Sequence, residues 1–208
     1  MLSNQDLINH LISSGYLKTE RIIKAFLKVD RKDFVPEELL DQAYKNYPLA
    51  IGDGQTISQP ATVAFMLELL QPQRGDKILD VGSGSGWQTA LLAEITGSQG
   101  KIFGLEIVEE LIGWSRQNIQ KYHFNNIKII KGNGWQGLPA ESPFDKIIVA
   151  AAAEIIPQVL KEQLEVGGRL VVPVGVGYQD IVLIVRESQS QYREERFPGF
   201  VFVPLINE

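Results

Sequence analysis

Two acids, Asp80 and Glu106, stand at the ends of short apolar runs, and after the first lies a loop of alternating glycine and serine, Gly82-Ser83-Gly84-Ser85-Gly86. Glycines between a strand and a helix let the backbone turn sharply and let a ligand touch the main chain. The chemistry this suits is the binding of a nucleotide-like molecule. A dinucleotide fingerprint reads G-x-G-x-x-G, with a pyrophosphate on the helix N-terminus. Here the spacing is G-x-G-x-G, and Trp87 holds the place of the third dinucleotide glycine. Asp80, two residues before Gly82, would repel a pyrophosphate and attract an ammonium or sulfonium group. S-adenosylmethionine carries both and has no phosphate. A plain glycine-rich turn in an α/β fold is the alternative that a single such loop leaves open.

Glu106 lies 24 positions after Gly82, close to the offset of roughly 20 expected for a ribose-binding carboxylate. A carboxylate accepts two hydroxyl hydrogen bonds and so suits a cis-diol. Its competing role is a solvated acid opening a helix with Glu109 and Glu110. Asn133, framed by Gly132 and Gly134, can offer its amide to an adenine edge or simply make an Asn-Gly turn. Ser58, just before Gln59-Pro60, reads on its own as a helix N-cap. The chain has no cysteine and two distant histidines, His10 and His123. That excludes thiolate nucleophiles, disulfides and cysteine zinc sites, and it disfavours a Ser-His-Asp triad. No metal site is expected.

These residues need a scaffold, and its outline is legible. Runs at 77–81, 101–107, 127–130, 146–150 and 169–174 read as successive strands, with a helix from Trp87 to about Ile95 after the glycine loop. Several end in polar or glycine-rich residues, as in an open parallel sheet whose ligand sits at the carboxyl edge. Pro157 opens a helix expected to stop at Gly167-Gly168. Segments 180–186 and 199–203 are expected as final, antiparallel strands. Before the sheet, apolar spacing predicts helices over 3–14, 19–29 and about 61–70, a further one starting at Pro36, and a Gly/Pro-rich loop over 47–60. The expected fold is α/β: a Rossmann-like open, mostly parallel sheet flanked by helices, with an N-terminal helical extension (1–60) and a cofactor-binding domain (61–208).

At 208 residues, 44% of them hydrophobic, the chain can bury a substantial core. A net charge of -5 argues against a protein that tracks nucleic-acid phosphates. No apolar run approaches membrane-spanning length, and the first residues lack a basic, apolar leader pattern. Cytoplasmic residence, no membrane or nucleic-acid partner and a monomeric state are expected.

Taken together, several blocks resemble the protein-L-isoaspartate O-methyltransferase family. They are Asp30-Arg31-Lys32-Asp33-Phe34-Val35-Pro36, Gly54-Gln55-Thr56-Ile57-Ser58-Gln59-Pro60, the 80–86 loop, Pro143-Phe144-Asp145, Gly167-Gly168-Arg169-Leu170, Pro173-Val174-Gly175 and Phe202-Val203-Pro204-Leu205. The glycine loop is common to many methyltransferases; the Thr56-Ile57-Ser58 block is more specific. The resemblance implies S-adenosylmethionine as methyl donor and methylation of the free α-carboxylate of L-isoaspartyl residues in damaged proteins. It places Ser58 at the active site and Gln55, Thr56, Ile57, Ser85, Glu106, Ile107, Asn133 and Gly134 at the cofactor, beside Asp80 and the loop residues Gly82, Ser83, Gly84 and Gly86. The family usually has aspartate where Asn133 stands, Tyr or a smaller residue at Trp87, and glycine at Ala150. An acid at Glu154 would be unhelpful beside a carboxylate substrate if it pointed inward. A methyltransferase of another carboxylate or a small molecule would keep the loop and Glu106 without needing the Thr56-Ile57-Ser58 block. A cofactor-binding protein without catalysis, or more distantly a nicotinamide dehydrogenase, are the other readings.

Overall fold

A computed structural model of the chain describes residues 3–207; Met1, Leu2 and Glu208, which fall within the two segments proposed above, lie outside the described residues. Two helices open the chain, α1 (Asn4–Ser13) and α2 (Glu20–Lys28). Ser3 and Asp6 form a capping box on α1. Thr19 holds the N-cap place of α2 but commits its hydroxyl to Glu68, 2.6 Å away. Two 3₁₀ turns follow, Arg31–Phe34 and Glu37–Gln42. The α-helix expected from Pro36 is thus only a 3₁₀ turn. It buries no residue, and short helices depend on a packed face.

The expected loop over 47–60 contains a hairpin, β1 (Leu49–Gly52) and β2 (Gln55–Ile57). Asp53 and Gly54 both take positive φ, 49° and 70°, at its turn, the backbone that Asp-Gly supplies most readily. Helix α3 (Pro60–Leu70) leads to β3 (Lys77–Val81), α4 (Trp87–Thr96), β4 (Lys101–Glu106), α5 (Glu109–Gln120) and β5 (Ile127–Lys131). Strand β6 (Phe144–Val149) precedes α6 (Gln158–Glu162), β7 (Leu164–Val174), β8 (Gln179–Arg186) and β9 (Tyr192–Phe200).

Two boundaries depart from expectation. Helix α6 stops at Glu162, because Leu164 already pairs with Phe144 and Gly167-Gly168 lies inside a bulged β7. The last strand is 192–200 rather than 199–203. It is an edge strand whose charged run, Arg193 to Arg196, hides its pairing with β8.

The main sheet runs β5-β4-β3-β6-β7-β8-β9, with parallel pairings up to β7 and antiparallel ones beyond. Alternate residues face opposite layers. Ile78, Ile102, Ile148, Val171 and Ile181 join the core shared with α1 to α5; Leu79, Phe103, Ile147, Leu170 and Val182 join the core beneath α6. Both faces being buried explains the near-continuous apolar runs. The order reverses at β3, which lies between β4 and β6, so the crevice for a ligand opens at the carboxyl ends of these strands.

Candidate active site

At that edge a cleft is walled by Val81 from β3, Leu105 and Glu106 from β4, Gly132 and Gly134 after β5, and Ala150 and Ala151 after β6. The glycine loop closes it from one side and hairpin residues Gln55, Thr56 and Ile57 from another. A second groove adjoins it, lined among others by Tyr16, Pro48, Phe65, Phe200 and Phe202. Thr56, Ser58, Ala150 and Val203 belong to both.

Glu106 organises the cleft. It is 6% exposed, and one carboxylate oxygen accepts from Gly84 N–H at 2.8 Å. The other accepts from Ile107 and Val108 N–H at 2.8 and 3.0 Å. Three of its roughly four acceptor sites are therefore filled, leaving about one for a ribose hydroxyl rather than two. The loop depends on glycine for this contact: Gly84 has φ +52°, and a Cβ there would stand 3.3 Å from Ile51 Cδ1. At Gly134 a Cβ would come within 2.6 Å of Val81 and 2.8 Å of Leu205, so only hydrogen fits at this point of the wall.

Asp80 is not on the wall. It is fully buried under the loop, accepting from Gln88 Nε2 at 2.7 Å and Thr89 Oγ1 at 2.5 Å. Burial lifts its pKa to about 6, against the pull of those two donors and with a push from Glu106. Its oxygens pin the first turn of α4. Gly86 likewise stands off the wall, at the N-cap of α4. Asn133 is not among the residues that line the cleft; its Oδ1 accepts from Trp135 N–H at 2.9 Å and its Nδ2 donates to Asn207 at 3.0 Å. The Asn-Gly turn is its structural role here. Glu154 is exposed and lines neither cavity.

Ser58 lies where the two cavities meet. It is not a helix cap. Gln59 holds the N-cap place of α3, and the Ala61 N–H is met at 3.0 Å by the side chain of Asn46. Among the described residues the Ser58 hydroxyl has no hydrogen-bond partner, and its carbonyl accepts from Arg31 at 3.1 Å.

Sequence reasoning missed the tail segment Val203–Ile206 as a wall. The tail is strapped down by Ala152 N–H on Val203 O and Leu205 N–H on Ala152 O, both 2.8 Å, and by Trp135 Nε1 on Leu205 O at 3.1 Å. The Phe202-Val203-Pro204-Leu205 block was the available signal. Trp87 and Ser83 are buried on the wall, and among the described residues Trp87 Nε1 and Ser83 Oγ have no partner. A mainly apolar slot with an anchored carboxylate and an orphan hydroxyl fits a nucleoside with polar substituents.

The family profile for protein-L-isoaspartate(D-aspartate) O-methyltransferase (PCMT) matches residues 2–208. A protein-L-isoaspartate O-methyltransferase from Methanopyrus kandleri is 42% identical over 208 residues, covering 99% of this chain and 92% of the relative. That of Ignicoccus hospitalis is 43% identical over 206 residues, covering 98% and 97%. A solved structure from Plasmodium falciparum, described as this type of enzyme in complex with S-adenosyl-L-homocysteine, superposes with a TM-score of 0.88 at 28% identity and covers 99% of both chains. A family match over residues 2–208, with relatives 42–43% identical over nearly the whole chain, means that the chain belongs to the protein-L-isoaspartate O-methyltransferase family.

Proposed function

We propose that the chain transfers a methyl group from S-adenosylmethionine to the free α-carboxylate of L-isoaspartyl residues in damaged peptides and proteins, the step that initiates their repair. The observation that carries this is the shared wall at Ser58, where an apolar groove able to take a peptide meets the cleft able to take the donor. Membership of the family and the P. falciparum relative's bound S-adenosyl-L-homocysteine support the donor.

S-adenosylmethionine, when bound, supplies an electrophilic methyl on a cationic sulfur. The chain's residues divide the remaining work. Glu106 and the loop hold the ribose side, with Gln55, Thr56, Ile57, Gly82, Ser83, Ser85, Ile107 and Gly134 around the ligand. Asp80, Gly86 and Asn133 shape the cleft from behind. The acceptor carboxylate is already ionised at pH 7, since such groups titrate near pH 4, so no general base is needed. Ser58 donates its hydroxyl to one carboxylate oxygen and leaves the other facing the methyl. Positioning of this kind supplies up to about 7–11 kcal/mol in favourable cases.

In this reading residues 1–60 form the helical extension and the substrate-side loop, whose hairpin also closes the donor cleft, and 61–208 the cofactor-binding domain. The enzyme works as a monomer in the cytoplasm without nucleic acid; the acidic balance supports the last of these, and among the described residues no helix is long and apolar enough to cross a membrane. The test is tritiated methyl transfer to an isoaspartyl peptide beside its normal aspartyl twin. Label should enter only the isoaspartyl peptide. Equal labelling of the twins, or none, sinks the reading, and a light-scattering mass twice that of the chain sinks the monomer.

A further inference from the structure

Arg31 opens the 3₁₀ turn Arg31–Phe34 and is wholly buried. A buried guanidinium normally finds a carboxylate, because an unpaired interior charge is costly. Burial pulls its pKa down to about 10, with Tyr47 pushing weakly the other way. Its partners are carbonyls. Nη1 donates to Ala43 O at 2.7 Å and, at 3.5 Å, to Lys45 O. Nη2 donates to Tyr47 O and Ser58 O, each at 3.1 Å, and at 3.5 Å to Ile57 O. The guanidinium carbon lies over the Trp87 ring, 5.4 Å from its centroid. Trp87 is the first residue of α4 and part of the cofactor wall.

One planar group thus touches both sides of the reaction zone: the backbone carrying Ser58, and the wall against which the donor rests. Stability alone gives no reason for it, since an apolar side chain of similar size avoids the desolvation cost. Geometry does. A guanidinium has five donors in a rigid fork and stacks on an aromatic face; an ammonium has neither property.

We infer that Arg31 is a positioning residue for methyl transfer: by holding the carbonyls of residues 57–58 against the Trp87 wall, it sets Ser58 at its working distance from the methyl donor. This rests on Ser58 being the group that orients the acceptor carboxylate.

The experiment compares Arg31→Lys, Ser58→Ala and the double variant in single-turnover methyl transfer to an isoaspartyl peptide. It is run with both ligands saturating, well below the melting midpoints, with S-adenosylhomocysteine affinity measured by calorimetry on the same samples. Each single variant should slow transfer by about tenfold to a hundredfold. The double variant should be no slower than the slower single one, and cofactor affinity should hardly move. If the two losses multiply, Arg31 acts somewhere other than Ser58 and the inference falls. It falls too if Arg31→Lys melts early yet transfers at the wild-type rate per folded molecule. Ser58→Ala at full rate would overturn the Ser58 reading and this inference with it, while leaving the methyltransferase activity in plain view. Should Arg31→Lys fail to fold, Arg31→Ala is assayed with added methylguanidinium. A rate that climbs with its concentration supports the inference, and a flat response overturns it.

Discussion

Burial holds the Asp80 carboxyl at a pKa of about 6, above its ordinary 3.8, so the folded chain binds this proton more tightly than the unfolded one. The stability this group allows is fully present below about pH 4, falls as pH rises toward 6, and is gone above it. Asp80→Asn should therefore gain on the parent as pH rises from 4 to 7, with the Thr89 hydroxyl turning to accept from the new amide. Urea midpoints of both proteins across that range check it, and a pH-independent difference would refute the assignment. Ser58→Ala should lower turnover and leave the melting midpoint nearly unchanged, because no helix is capped by it; the reverse pattern would make it structural. Glu106→Ala should weaken S-adenosylhomocysteine binding by about 1–3 kcal/mol, as the Gly84 contact and a charge-assisted ligand bond go together; unchanged calorimetric affinity would remove Glu106 from the site. What the sequence reveals of such residues depends on reach. Glu106 is legible because its role follows from the local grammar of strand, acid and helix. Asn133 stands at a similar place, yet its amide is turned to Trp135 and Asn207, a choice no spacing encodes. Arg31 and Asn46 are illegible, since their partners lie 27 and 15 residues away.

Among the elements, α3 depends on a cap from outside its own segment. Asn46 Oδ1 accepts the Ala61 N–H at 3.0 Å while Gln59 Nε2 donates back to Asn46 O, also at 3.0 Å. Asn46→Ala should cost about 0.5–2 kcal/mol, the usual worth of an N-cap, and Asn46→Asp should retain most of it because an acid suits the helix N-terminus. Chemical denaturation of the three proteins decides; an Asn46→Ala variant as stable as the parent would show the contact to be idle. Helices α1 and α2 can be read from periodicity, and α3, α4 and the parallel strands from apolar runs set between glycine, proline and polar residues. The β1–β2 hairpin cannot: four and three residues are too short for a period, and Gly and Pro around them signal only turns. Strand β9 is masked by charges that suit an exposed edge, and β7 by glycines that its bulge requires.

For the molecule as a whole, Leu7, Ile8, Ile22 and Phe26 of the first helices share one core with Leu91, Ile102 and Ile148. Residues 1–60 thus share a core with the rest of the chain, so calorimetric unfolding should show a single transition; two resolved peaks would make the extension an independent unit. The sheet order was open to sequence reasoning in outline, through the succession of strands and the glycine loop, whereas the closing of the cleft by the chain's own tail was not, because that contact joins residues some fifty positions apart, Ala152 and Leu205. The partition between the two cavities has an evolutionary edge. Thr56, Ser58, Ala150 and Val203 line both cavities, so under the proposed assignment no change at these positions retunes the peptide groove without also disturbing the donor cleft. Lineages drifting toward new damaged substrates are then confined to the far bank of the groove, around Tyr16, Phe65 and Phe200, where variation is free of that double penalty.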